Sequence, residues 1–139
     1  MVAAMPRTPF GPAPSAGEIQ AIADAALAAI PASLRRLVQG VAILIEEFPD
    51  DATLRDMGLE SPYDLLGLYH GVALGQKGTG LVAHDVDRIF LYRGPLLFYW
   101  MESGETLEAI VRHVLIHEIG HHFGLSDADM EAIEAQAGP

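Results

Sequence analysis

Four of the six histidines, His113, His117, His121 and His122, fall within ten residues. The segment holding them has no proline, and its apolar residues recur at helical spacing, so it predicts one long helix from about Gly104 to His122. Three of the imidazoles repeat every four residues and therefore share one stripe of that helix. The opposite face must then be buried against the rest of a small molecule. At 139 residues the chain predicts a single domain, with room for little beyond this helix and a few strands. The absence of cysteine removes disulfides, thiolate metal sites and a Cys nucleophile, so any metal must be held by His, Asp or Glu. A net charge of −11, from 19 carboxylates against eight Lys and Arg, repels a phosphate backbone and an anionic lipid surface. Nucleic acid and membrane are excluded as expected partners.

Residues 1–16 form a proline-rich tail expected to be disordered, and residues 17–139 form the domain. The tail lacks the apolar core of a signal peptide, and no run of about 18 apolar residues is free of charge, so a cytoplasmic location is expected. Ser15 with Glu18 three residues on reads as a capping box opening a first helix, with Ile19, Ile22, Ala23, Ala26 and Ile30 on its apolar face. Pro31 ends it and starts a second short helix through Leu37. The run Val41 to Ile45 suits a strand buried on both faces. A short helix follows over Asp51 to Met57, closed by Gly58. Leu65 to Leu74 and Val86 to Arg93 read as strands separated by Gly75, Gly78 and Gly80, with Gly94 and Pro95 stopping the second. After the apolar residues Leu96 to Trp100, which read as core, come the long helix, a break at Gly124, and a last helix from about Asp127 to Ala135. The expected class is α+β: a small mixed sheet packed on the histidine helix, with a short C-terminal helix.

The long helix contains HEIGH at His117 to His121. Two imidazoles one turn apart can reach one ion at about 2.0–2.1 Å, while Glu118 points toward a water activated by that ion. Zinc would lower the pKa of the water and polarise a carbonyl, with Glu118 as the general base that passes the proton to a leaving amine. The third ligand follows from spacing. A distant downstream Glu has no room, because only 18 residues follow His121, and Glu131 and Glu134 come too soon for that arrangement. The string HEIGHHFGLSD matches HExxHxxGxxH, with Gly124 turning the chain beneath the metal and Asp127 in the place of the third His. Asp129, or a water, is the alternative third ligand. Asp127 also suits the first turn of a helix on electrostatic grounds.

These residues, together with LLGLYHGV (65–72), IFLYRGPLL (89–97) and HEIGHHFGLSDADM (117–130), resemble the bacterial minimal zincins, or zincin-like metallopeptidases. The resemblance runs from about Gly17 to the C-terminus. It implies a compact fold with a mixed sheet over the active-site helix and a zinc-dependent peptidase activity. Carried over by position, it gives His117, His121 and Asp127 as ligands of one zinc ion and Glu118 as base. Met130 lies too close to Asp127 to serve as the methionine turn of larger relatives.

Other histidines read differently. His113 lies about 12 Å of helix rise from His121 and cannot share its ion; it is expected to pack or to support a neighbour. His122, turned about 100° from His121, is a candidate donor lining the site. His70 and His84 have no partner at ligand spacing. Strand 86–93 is expected at a sheet edge where an extended peptide pairs with it. Tyr92 and Arg93 at its end would then steady an oxyanion or a substrate carboxylate; the plain reading is that Tyr92 packs and Arg93 pairs with a carboxylate. The leading function is hydrolysis of a peptide or an unstructured protein segment. The alternative is a metal-binding structural or regulatory domain in which the ion clips the last helix to the core.

Overall fold

Ser15 opens α1 (Ala16–Ala29) with the expected capping box: its hydroxyl accepts from the Glu18 N–H and the Glu18 carboxylate accepts from the Ser15 N–H, both at 3.1 Å. The structure, a computed structural model, describes residues 12–71 and 86–137. Residues 1–11 of the expected tail, the end of the strand expected to reach Leu74, the turn glycines after it and His84 lie outside the described residues. Residues 12–16 are not a loose tail, since Pro14 is buried and its carbonyl accepts a 2.8 Å hydrogen bond from Arg93 Nε.

A short α2 (Ala32–Arg35) tightens into a 3₁₀ turn (Arg36–Val38) before β1 (Ala42–Glu46). Asp50 caps α3 (Asp51–Met57), and Gly58 ends it in the left-handed conformation. The strands β2 (Gly67–His70) and β3 (Arg88–Tyr92) follow, then α4 (Arg93–Ser103), α5 (Leu107–His122) and α6 (Asp127–Gln136). The α4 helix is absent from the sequence reading. Its apolar run Leu96 to Trp100 lacks a clear helical stripe, and in place only Leu96 is fully buried while Phe98 and Tyr99 face outward.

The sheet order is β1-β3-β2, with β1 parallel and β2 antiparallel to β3. Two expectations change here. Strand 86–93 lies between the other two, hydrogen-bonded on both sides, so among the described residues the edges fall to β1 and β2. And β1 is buried on one face only: Ile43 packs inward while Leu44 is 39% exposed. Both follow from the layering, because α1 and α5 pack against each other and against β1 and β2 on the same side of the sheet. Ile43, Ile89, Leu91 and Tyr69 meet Ile19, Ala23, Ile110, Val111, Val114, Leu115 and Ile119 in one core.

The join between α5 and α6 sets the functional region. Gly124 adopts φ 76°, which a side chain disfavours. Its N–H bonds to the His121 carbonyl (3.2 Å) and the Leu125 N–H to the Gly120 carbonyl (2.8 Å), a Schellman turn that satisfies the last carbonyls of α5. Ser126 then caps α6 in a second capping box with Asp129. The returning α6 presses Met130, fully buried, onto Gly120, where a Cβ would run into the Met130 thioether. This close approach carries the rest of α6 back along α5.

No described helix is long and apolar enough to cross a membrane.

Candidate metal centre

HEIGH occupies the last turns of α5, where Thr106 caps the start of the helix through the Ala109 N–H and buried Leu115, Ile116 and Ile119 fix its rotation. That rotation leaves His113 and His121 exposed and His117 and Glu118 half-buried.

His117 and His121 stand edge to face, ring centres 5.8 Å apart at 82°. Two imidazoles on one tetrahedral ion have centres about 5 Å apart, given bonds of about 2.0–2.1 Å. The pair stands about 1 Å wider than that separation.

Glu118 is held at the edge of the sheet. The Tyr92 N–H donates to the Leu66 carbonyl at 3.0 Å, so residues 66, 68 and 70 turn their backbone groups toward β3 and Gly67 and Tyr69 turn theirs away. The outward Tyr69 N–H donates to the Glu118 carboxylate. Burial pushes the Glu118 carboxyl above the ordinary carboxylate range, and this hydrogen bond and the nearby His121 only partly offset it.

Tyr92 is buried and its hydroxyl is pushed up to about 12, first by burial and then by the charges of Asp50, Glu46 and Glu118. It lines a cavity of about 450 Å³ on the open face of the sheet with Glu46, Asp50, His70, Arg88 and Phe90. Arg93 is engaged elsewhere: besides Pro14 it holds Glu47 at 2.9 Å, the carboxylate pairing that the plain reading foresaw. His122 stacks on the ring of Tyr69, centres 4.0 Å apart, and meets Phe123 edge-on. Asp127 is exposed in the first turn of α6, where a carboxylate favours the helix N-terminus.

Two residues that spacing set aside stand closest to His117. Glu134 Oε1 lies 2.7 Å from His117 Nε2 and 2.9 Å from His113 Nδ1. The rings of His113 and His117 stack at 4.0 Å. Burial pulls the Glu134 carboxyl upward, and the hydrogen bonds and electrostatic pull of the two imidazoles outweigh it, leaving it below its ordinary range. Among the described residues, His113, His117 and Glu134 are the one group of three His, Asp or Glu whose ligating atoms all lie within 4.8 Å of one another. Asp127 is not in that group. By spacing, a Glu ligand is expected only on a more remote helix. The Schellman turn and the Gly120–Met130 contact instead fold α6 back so that a residue only 17 positions on reaches His117. The visible signal was Glu134 itself, one turn past Met130 on the same helix.

A family model of zincin-like metallopeptidases matches residues 38–137, and the chain belongs to that family. It is similar in structure to a conserved hypothetical protein from T. thermophilus, with a TM-score of 0.53 and 25% sequence identity over 79% of this chain and 94% of that one. Among curated proteins none matches. The family implies zinc, and the donor set suits it: imidazole nitrogens and carboxylate oxygens, with thiolates absent from the sequence.

Proposed function

We propose that this chain is a zinc-dependent peptidase in which His117, His121 and Asp127 hold one zinc ion and Glu118 is the general base. The observation that carries the reading is the placement of Glu118 beside His121, with its carboxylate drawn to the outward backbone of β2. Zinc, when bound, supplies the Lewis acidity that makes a water nucleophilic near neutral pH and polarises a carbonyl. The rest falls to the chain. Glu118 takes the proton of the attacking water on its carboxylate and returns it to the departing amine. Its partly desolvated position raises its affinity for that proton, which favours the first transfer. An extended peptide, or an unstructured protein segment, lies along β2, whose outward edge passes Glu118, rather than along the central β3. Tyr92, neutral over the working range, lines the cavity on the sheet face opposite α5, while His122 fixes Tyr69 and with it the β2 edge. Arg93, tied to Pro14 and Glu47, has no part in the chemistry.

The test is a mixed peptide library digested by the full chain before chelation, after it, and after addition of one equivalent of zinc. The reading expects cleavage products that vanish with chelator and return with zinc. Products that persist in chelator, or none under any condition, would contradict it.

A further inference from the structure

We infer that His113, His117 and Glu134 form a second zinc station, sharing His117 with HEIGH and tying α6 to α5. The inference rests on the reading that this chain binds zinc. Its geometry stands on the convergence of His113 Nδ1 and His117 Nε2 on one oxygen of Glu134, at 2.9 and 2.7 Å. Ligand atoms around a tetrahedral zinc lie about 3.3–3.4 Å apart, from bonds of about 2.0–2.1 Å. The two His–Glu separations need to lengthen by about half an ångström, and the three ligand atoms already lie within 4.8 Å of one another. Two histidines at i and i+4 with a Glu from a neighbouring helix are also the ligand types zinc takes at three-residue sites.

The two stations exclude each other, because His117 presents Nε2 to one ion at a time. They also differ in what they can do. On the helical wheel Glu118 lies about 60° from His121 but about 140° from His113, and about 7.5 Å further along the axis than His113. An ion at the lower station is thus remote from the base and leaves HEIGH one imidazole short. It joins residues on both sides of the Schellman turn, so it acts as a clip on the last helix. The lower station is therefore a resting position for the metal, and the upper one the working position.

The experiment binds zinc, and cobalt as its spectroscopic substitute, to the full chain carrying His121→Ala and Asp127→Ala. The station predicts about one equivalent of bound metal, visible-range cobalt absorption of tetrahedral intensity, and a melting temperature that rises with zinc. Adding His113→Ala or the isosteric Glu134→Gln should weaken binding at least about tenfold, the lower bound for disturbing even an outer partner of a zinc ligand, and abolish the thermal shift. Far-UV circular dichroism identical to the parent shows that each variant is folded; a variant that fails this is replaced by Glu134→Ala. Zinc binding by the wild type but not by the double variant would overturn the station and leave the peptidase reading intact. Binding that survives loss of both His113 and Glu134 would overturn it as well. Glu134-dependent binding in a chain that cleaves no peptide would do the reverse.

Discussion

On α5, the face built from Ile110, Val111, Val114, Leu115 and Ile119 is almost wholly withdrawn from solvent, whereas the face bearing His113 and His121 is open. The first is locked by contact with α1 and the sheet. The second is held by ring contacts among its histidines and by polar contacts, Glu134 below and the Tyr69 backbone beside Glu118. The contrast shows a division of labour within one helix. Apolar packing fixes where the helix lies and how it is rotated, and this leaves three imidazoles free to choose partners without changing the fold.

Substitutions on either face separate these roles. The largest expected effect on metal is at His117, the residue common to both ligand sets. His117→Ala should lose bound zinc entirely, read by elemental analysis, while its circular dichroism stays that of the parent. Zinc retained near one equivalent would mean that neither set is right. On the buried face, Leu115→Ala should cost about 2–5 kcal/mol in chemical denaturation, since it opens a cavity in a close-packed core. A cost below about 1 kcal/mol would show that the helix is not held where the structure places it. Ser126→Ala removes the cap of α6 and should cost about 1 kcal/mol, with zinc affinity at the lower station falling in step as α6 frays. His122→Ala should do least. It removes a stacking partner of Tyr69 and leaves zinc content unchanged; a loss of zinc would make His122 a ligand.

What the sequence made legible were features written locally. The Ser15–Glu18 capping box, the Asp51–Met57 helix with its Gly58 terminator, the α5 helix and the break at Gly124 depend on residues within a few positions of one another. The features that escaped it depend on distant partners. Val86 to Arg93 reads as a strand, but nothing local says that both β1 and β2 will pair with it. The run Leu96 to Trp100 is apolar enough for core, and only the packing of α4 on one side of the molecule turns Phe98 and Tyr99 outward. His113 and Glu134 become neighbours only after Gly120 admits Met130 and α6 folds back, so spacing along the chain misleads about which carboxylate meets His117. HEIGH was legible as a motif because its chemistry needs a single helix, whereas Asp127 stands out only by its spacing from that motif and by resemblance.

In the proposed reaction Glu118 moves the proton of peptide hydrolysis without holding the metal. Glu118→Gln in the full chain, assayed together for zinc content and peptide cleavage, tests it most directly. The variant should hold zinc at the wild-type level and cleave more slowly by about 10²–10⁴-fold, the usual contribution of a general base. Cleavage at the wild-type rate with zinc still bound would contradict it.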